Sequence, residues 1–317
     1  MTGFVKQNMK ISDLVSHITR LQETTGLELY AVGGCIRNIL LGYPCKDFDF
    51  TCKSLPEDIE MGLRKTGRKV NTVGKRYGTL LTKDEILGPI EVTTFRSEKY
   101  TKGSRKPEVK YVEELYSDLS RRDFTINSMA LCAKGIIHDP FEGKIDLEKK
   151  TIRCVGKPLD RLKEDPLRVL RAVRFSVVLG FAIDQETGIA LTTCAPYLLT
   201  ISKQRIINEL DLMFNHDSYK ALEILSTYKV LNVLFSELRN YRWVMDWTCF
   251  MQADTKLTAD ETWHHIFNHL HSVLTKRLPE ESDISTILYK DLVNKYGLHF
   301  KFSNSRIAYI SEMKNNV

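Results

Sequence analysis

Two glycines set between an apolar strand and a short apolar helix, followed at once by two aspartates one residue apart, restrict what this chain can build. The segment reads Ala31-Val32-Gly33-Gly34-Cys35-Ile36-Arg37-Asn38, then Asp47-Phe48-Asp49. Leu29 to Val32 is predicted as a buried strand and Gly33-Gly34 as a tight turn. Ile36, Ile39, Leu40 and Leu41 are predicted as the buried stripe of a helix. Paired glycines let the backbone approach a phosphate chain closely. The helix start favours anions, and Arg37 adds a fork of donors. Lys46 to Thr51 alternates like a half-buried strand, so Asp47 and Asp49 share one face while Phe48 and Phe50 enter the core. Two carboxylates on one face can hold hard cations such as Mg2+, which binds through a few carboxylates, substrate phosphates and waters.

The chain has 317 residues, more than one typical domain, so two or more packed units are expected. Lys and Arg number 46 against 40 Asp and Glu, a net charge of +6 that suits a polyanionic partner. The seven cysteines are scattered without a Cys-x-x-Cys pair and are expected as reduced thiols. No apolar run is long enough to span a bilayer, and Met1 to Lys10 lacks the apolar core of a signal peptide. A soluble, cytoplasmic protein without membrane contact is the expectation.

Ile11, Leu14, Val15, Ile18 and Leu21 recur at helical spacing and predict an opening amphipathic helix. A helix over Pro56–Lys65 and strands over Thr79–Thr82 and Ile90–Phe95 complete a mixed α and β region. From about Asp160 the strand signal fades and helical periodicity takes over, as in Leu167, Leu170 and Val173, or Ile206, Leu210 and Leu212. Thr101 to Pro107 is polar and basic and reads as a surface loop.

Glu91 interrupts an apolar strand, Ile90 to Phe95, and calls for a compensating charge. With Asp47 and Asp49 nearby it reads as a third metal-facing carboxylate; the alternative is an edge-strand Glu in solvent. In Arg121-Arg122-Asp123-Phe124-Thr125-Ile126-Asn127, a short helix gathers two cations, an acid and an amide able to grip ribose and phosphate. Asp123 could equally cap that helix and Arg121 could be a surface charge.

A second strong signal is Glu164-Asp165-Pro166-Leu167-Arg168, continued by Arg171 and Arg174. The three arginines form a cationic ridge opposite Leu167, Leu170 and Val173. Asp165 and Pro166 also suit a helix start, with Asp165 as N-cap and Pro166 at the first helical position. A carboxylate beside a guanidinium can read a base edge: Asp165 accepts from the exocyclic amine of cytosine or adenine, and Arg168 donates to a ring acceptor. Uracil and guanine leave buried groups unmatched, at about 1–3 kcal/mol each. The expected nucleotides are CTP and ATP.

These motifs, in this order and joined by Asp139-Pro140-Phe141 with Gly143 and Asp146-Leu147, closely resemble class II CCA-adding tRNA nucleotidyltransferases of the DNA polymerase β superfamily over Tyr30 to Phe235. The resemblance implies an α+β fold: a polymerase-β-like nucleotidyltransferase head with a small mixed sheet, then an all-α neck, body and tail. The expected divisions are 1–150 for the catalytic head, 151–215 for the base-reading neck and 216–317 for the tRNA-holding body and tail. It implies two Mg2+ ions on Asp47 and Asp49, with Glu91 beside them. Gly33, Gly34 and Arg37 would contact the triphosphate. Arg122, Asp123 and Asn127 would bind nucleotide from the head, Asp165 and Arg168 would read the base, and Arg171 and Arg174 would assist. The segment near Arg96 to Pro107 resembles the family loop associated with adding the terminal A.

The implied reaction is template-independent addition of CCA to the tRNA 3′ acceptor end from CTP and ATP, with release of pyrophosphate. The alternatives are partial CC or A addition, poly(A) synthesis, nucleotidyl transfer to a small molecule, and a non-catalytic tRNA-binding protein. Trp263-His264-His265-Ile266-Phe267-Asn268-His269-Leu270-His271 is rich in histidine but is expected as a solvated or core-packed helix without metal.

Overall fold

A computed structural model describes residues 9–99, 108–235, 257–275, 290–296 and 302–313. It divides into two compact units, Met1–Arg161 and Leu162–Val317. The expected loop over Thr101–Pro107 lies outside the described residues.

Unit 1 opens with helix α1 (Ile11–Thr25), which buries Leu14, Ile18 and Leu21 and ends at Gly26 in the left-handed region. At its start the Lys10 amide donates to the Asp13 carboxylate at 3.0 Å. Strand β1 (Tyr30–Val32) leads into helix α2 (Gly34–Leu40), and strand β2 (Phe48–Cys52) follows. Ile36 and Ile39 of α2 are buried as expected, whereas Leu40, in its last turn, is exposed. Helix α3 (Pro56–Lys65) starts on Pro56 with Glu57 and Asp58 in its first turn and ends on Arg64 and Lys65, an order that suits the helix dipole. Strands β3 (Thr79–Asp84) and β4 (Gly88–Thr94) come next. β2 and β4 are parallel, and α3 with β3 supplies the crossover that parallel neighbours require.

Beyond a separate two-stranded ribbon, β5 (Arg96–Lys99) with β6 (Glu108–Tyr111), the chain forms helix α4 (Leu115–Ser120) and short strands β7 (Ala130–Leu131) and β8 (Ile137–His138). The main sheet has the mixed order β3-β4-β2-β1-β7-β8. Its register aligns Ala31, Phe50, Val92 and Leu80 across four strands, all buried. The next row, Val32, Asp49, Glu91 and Leu81, projects from the opposite face. The strand period of two thus separates core from acid. A cluster of Val32, Leu119 and Ala130 locks α4 onto this second face.

Unit 2 is helical. Helix α7 (Leu167–Leu179) buries Val169 and Ala172 besides the expected Leu167, Leu170 and Val173, and packs against helices α9 (Lys203–Phe214) and α10 (Ser218–Thr227). Ile206 and Leu210 are buried on α9, but Leu212 is exposed. Two residues past Leu210 turns a helix by more than half a circle, so Leu212 faces away from the core. The histidine-rich segment is the helix Ala259–Thr275, core-packed through Trp263, Ile266, Phe267 and Leu270. The Trp263 indole stacks edge-on against Phe214 at 5.6 Å and donates Nε1–H to Asp211 at 2.9 Å.

Candidate active site

The second face of the sheet in unit 1 carries two acids, Asp49 and Glu91, in one row. Asp49 and Glu91 are register partners on β2 and β4, so their carboxylates leave the sheet side by side. Asp47 precedes the strand, which starts at Phe48 rather than at the expected Lys46, and is exposed. Burial pushes the Asp49 carboxyl up to about 6; the negative charges of Glu91 and Asp47 push the same way, and Arg122 opposes them. The Thr93 hydroxyl donates to Glu91 Oε1 at 3.3 Å. Among the described residues, no three His, Cys, Asp or Glu side chains converge as a closed metal cage. Asp49 beside Glu91, with Asp47 at the entrance to the strand, nevertheless offers hard oxygen donors of the kind that suit a cation which keeps waters and takes further ligands from phosphates, as Mg2+ does.

Gly33 stands over this row. Its φ of 77° and ψ of −138° belong to a region that essentially only glycine occupies. A Cβ there would lie 3.1 Å from Arg122 Nη1 and 3.7 Å from Asp49 Oδ2. The missing side chain therefore leaves a gap flanked by a guanidinium and a carboxylate. At Gly34 a Cβ would meet Arg37 Nη2 at 3.4 Å. Arg37 is oriented from two sides. Nε and Nη2 donate to Asn38 Oδ1 at 3.1 and 2.9 Å, and Nη1 donates to Asn127 Oδ1 at 2.6 Å.

Asn127 in turn donates to Asp123 Oδ1 at 3.1 Å, and the same oxygen accepts the Phe124 amide at 2.8 Å. The helix expected around Arg121–Ala130 is one 3-10 turn, Thr125–Asn127, and Asp123 is buried beside it. Arg121 is not a free surface charge: it pairs with Asp118 at 2.9 Å, and Arg122 pairs with the same residue at 3.2 Å. Asp118 was not among the expected site residues. Its signal in the sequence is the spacing of three and four residues to the two arginines, which brings them back to it where α4 ends at Ser120.

In unit 2 the structure shifts the predicted helix start by one residue. Pro166 occupies the N-cap position of α7, and Asp165 Oδ1 accepts the Leu167 amide at 3.2 Å. Proline fixes φ where the chain enters the helix, so the carboxylate caps from one residue earlier. Asp165 Oδ2 accepts from Arg205 of α9 at 2.8 Å. Arg168 is buried and donates to Glu164 at 2.8 Å. The expected ridge is tied down as well. Arg174 pairs with the buried Glu209 at 2.5 Å and Arg171 approaches the same carboxylate at 3.9 Å. Both guanidinium groups lie over the Phe175 ring, at 4.4 and 5.3 Å. Glu164, Arg205 and Glu209 thus set the directions in which Asp165, Arg168 and Arg174 point.

Residues 29–153 match the family model of the poly A polymerase head domain, and residues 180–242 match a probable RNA and SrmB-binding site of polymerase A. The chain is 34% identical to the CCA-adding enzyme of Streptococcus mutans over 273 residues, which cover 86% of this chain and 62% of that one. It is 35% identical to the CCA-adding enzyme of Leuconostoc citreum over 280 residues, 86% of this chain and 67% of that one. The crystal structure of the Bacillus stearothermophilus CCA-adding enzyme in complex with CTP superposes with a TM-score of 0.69 at 28% identity, covering 95% of this chain and 68% of the other.

Proposed function

The chain belongs to the family of CCA-adding enzymes, with an α+β fold and a polymerase-β-like head, and from that premise we propose that it adds C, C and A in turn to the 3′ end of tRNA from CTP and ATP. Each addition releases pyrophosphate, and no template strand is used. Because the chain spans 62% of the length of the S. mutans relative, this reading rests on its own residues as much as on kinship. The observation that carries it is the gap at Gly33, flanked by Arg122 Nη1 and Asp49 Oδ2. A phosphate seated there has a cationic donor on one side and a metal-binding carboxylate on the other.

Asp47 and Asp49 hold divalent cations in this proposal, two Mg2+ ions as the family resemblance implies and as hard oxygen donors suit, with Glu91 as a third carboxylate beside Asp49. Bound there, the ions supply activation of the tRNA 3′-hydroxyl and neutralisation of the triphosphate. Gly33 and Gly34 let the main chain approach the phosphates, and Arg37 and Arg122 donate to them. Asp123 and Asn127 hold the Arg37 fork in place through their hydrogen-bonded chain.

Base choice belongs to a neck over 151–215. Asp165 accepts from the amine of cytosine or adenine, Arg168 donates to the neighbouring ring acceptor, and Arg171 and Arg174 support them. A body and tail over 216–317 grip the tRNA, with salt-dependent affinity. No described helix is long and apolar enough to cross a membrane, and we place the activity in the cytoplasm.

The test is to give the purified protein a tRNA trimmed of its 3′ end with CTP alone, ATP alone, or both. Full CCA ends only with both nucleotides support the reading. A-tailing of arbitrary RNA without use of CTP replaces it with poly(A) synthesis, CC or A ends alone make the chain a partial adding enzyme, and binding without extension makes it a tRNA-binding protein.

A further inference from the structure

We propose that Asp118 is a positioning residue for nucleotide binding: its buried carboxylate holds the Arg122 guanidinium beside the Gly33 cradle. Asp118 is fully buried in α4. Its two oxygens divide the work. Oδ1 accepts from Arg121 Nε at 2.9 Å and from the Arg96 amide at 3.3 Å, while Oδ2 accepts from Arg122 Nη2 at 3.2 Å. Arg122 Nη1 lies 3.1 Å from the point where a Gly33 Cβ would stand, and its Nε–H is buried with no hydrogen-bond partner among the described residues. Nη1 is thus the guanidinium donor that faces the cradle, where an anion would be its charge-assisted acceptor.

The anchor is rigid for a reason visible in the core. Leu119, next to Asp118, packs on Val32, next to Gly33, in the cluster completed by Ala130. One set of apolar contacts therefore fixes both the residue that holds Arg122 and the backbone that Arg122 faces. Burial alone would raise the Asp118 carboxyl, but Arg122 and Arg121 together hold it below its ordinary value, so it stays an anion able to restrain both arginines. Without it, Arg122 is free to swing onto Asp49, whose charge it already feels, and to neutralise the carboxylate the cradle needs.

The inference rests on the reading that unit 1 binds a nucleoside triphosphate, and a double-mutant cycle separates the two. Dissociation constants for CTP with Mg2+ are measured by equilibrium titration on the full chain as wild type, Asp118→Asn, Arg122→Ala and the double variant, with circular dichroism melts to establish folding. Asp118→Asn is expected to weaken CTP about tenfold in the wild-type background, the size of one lost charge-assisted hydrogen bond. In the Arg122→Ala background it is expected to change the constant less than about twofold, because the residue through which it acts is gone. An equal loss in both backgrounds, or no loss in either, overturns the proposal while leaving the nucleotide site standing. If Asp118→Asn does not fold, the same cycle with Asp118→Glu decides. Failure of both to fold makes Asp118 a scaffold residue and also overturns it. A wild type that does not bind CTP overturns the nucleotide reading itself.

Discussion

Asp49 and Glu91 face each other across adjacent parallel strands, like charges held in register by the main-chain ladder. Such a pair opposes folding when both are ionised, and burial adds to the effect at Asp49. The Asp49 carboxyl is raised from 3.8 to about 6, so the folded state binds its proton more tightly than the unfolded chain does. The stability this supplies is complete below about pH 4 and is lost as pH rises through about 6. With chelator present, Asp49→Asn is expected to melt above wild type at pH 7 to 8. The gap should close by about pH 4, as read by circular dichroism melts across the range.

Relief of the same repulsion by a cation gives a second expectation. Mg2+ should raise the melting temperature of the wild type with a dose dependence set by mass action, about 2.7 kcal/mol at a hundredfold excess over the dissociation constant. Asp49→Asn should lose most of that shift. Equal shifts in the two proteins, in differential scanning fluorimetry against MgCl2, would place the ion elsewhere.

Gly33→Ala joins two penalties. The backbone angles exclude an L side chain, at about 1–3 kcal/mol, and the new methyl presses on Arg122. Stability should fall by that amount and CTP affinity should fall with it. Gly34→Ala, inside α2 with its nearest neighbour the far end of Arg37, should cost less in both measurements. Chemical denaturation and nucleotide titration of the two variants check the contrast.

In unit 2, Glu209 is buried against Arg174 and near Arg171. Glu209→Gln is expected to destabilise the protein by about 2–3 kcal/mol, because it leaves a part-buried guanidinium without its anion. Adding Arg174→Met should recover part of the loss, since removing both partners costs less than removing one. Urea unfolding of the single and double variants reads this directly.

Strand β2 was legible because alternation of acid and phenylalanine is a local pattern, and Glu91 was legible because a charge within an apolar strand needs a reason. The end of the strand was not: Asp47 falls outside it, since the ladder with β4 begins only at Phe48 and that with β1 only at Asp49. The partners of the α7 arginines were hidden for a deeper reason. Arg174 and Glu209 stand 35 residues apart, and Asp165 and Arg205 stand 40 apart. Both pairings depend on how α7 packs against α9, which periodicity within one helix does not encode. Asp118 lay between these cases, readable as a helix-spaced neighbour of two arginines but not as their buried anchor.

The parallel pairing of β2 with β4 has a bearing on how such a head can diversify. The distance between the two acidic strands is measured by the hydrogen-bond ladder, a ruler of about 4.8 Å that depends on neither the length nor the sequence of the chain joining them. An added turn in α3, or a longer link into β3, would enlarge the outside of unit 1 without changing that spacing. The crossover is therefore the place to graft new recognition surface onto this head while its chemistry stays in tune.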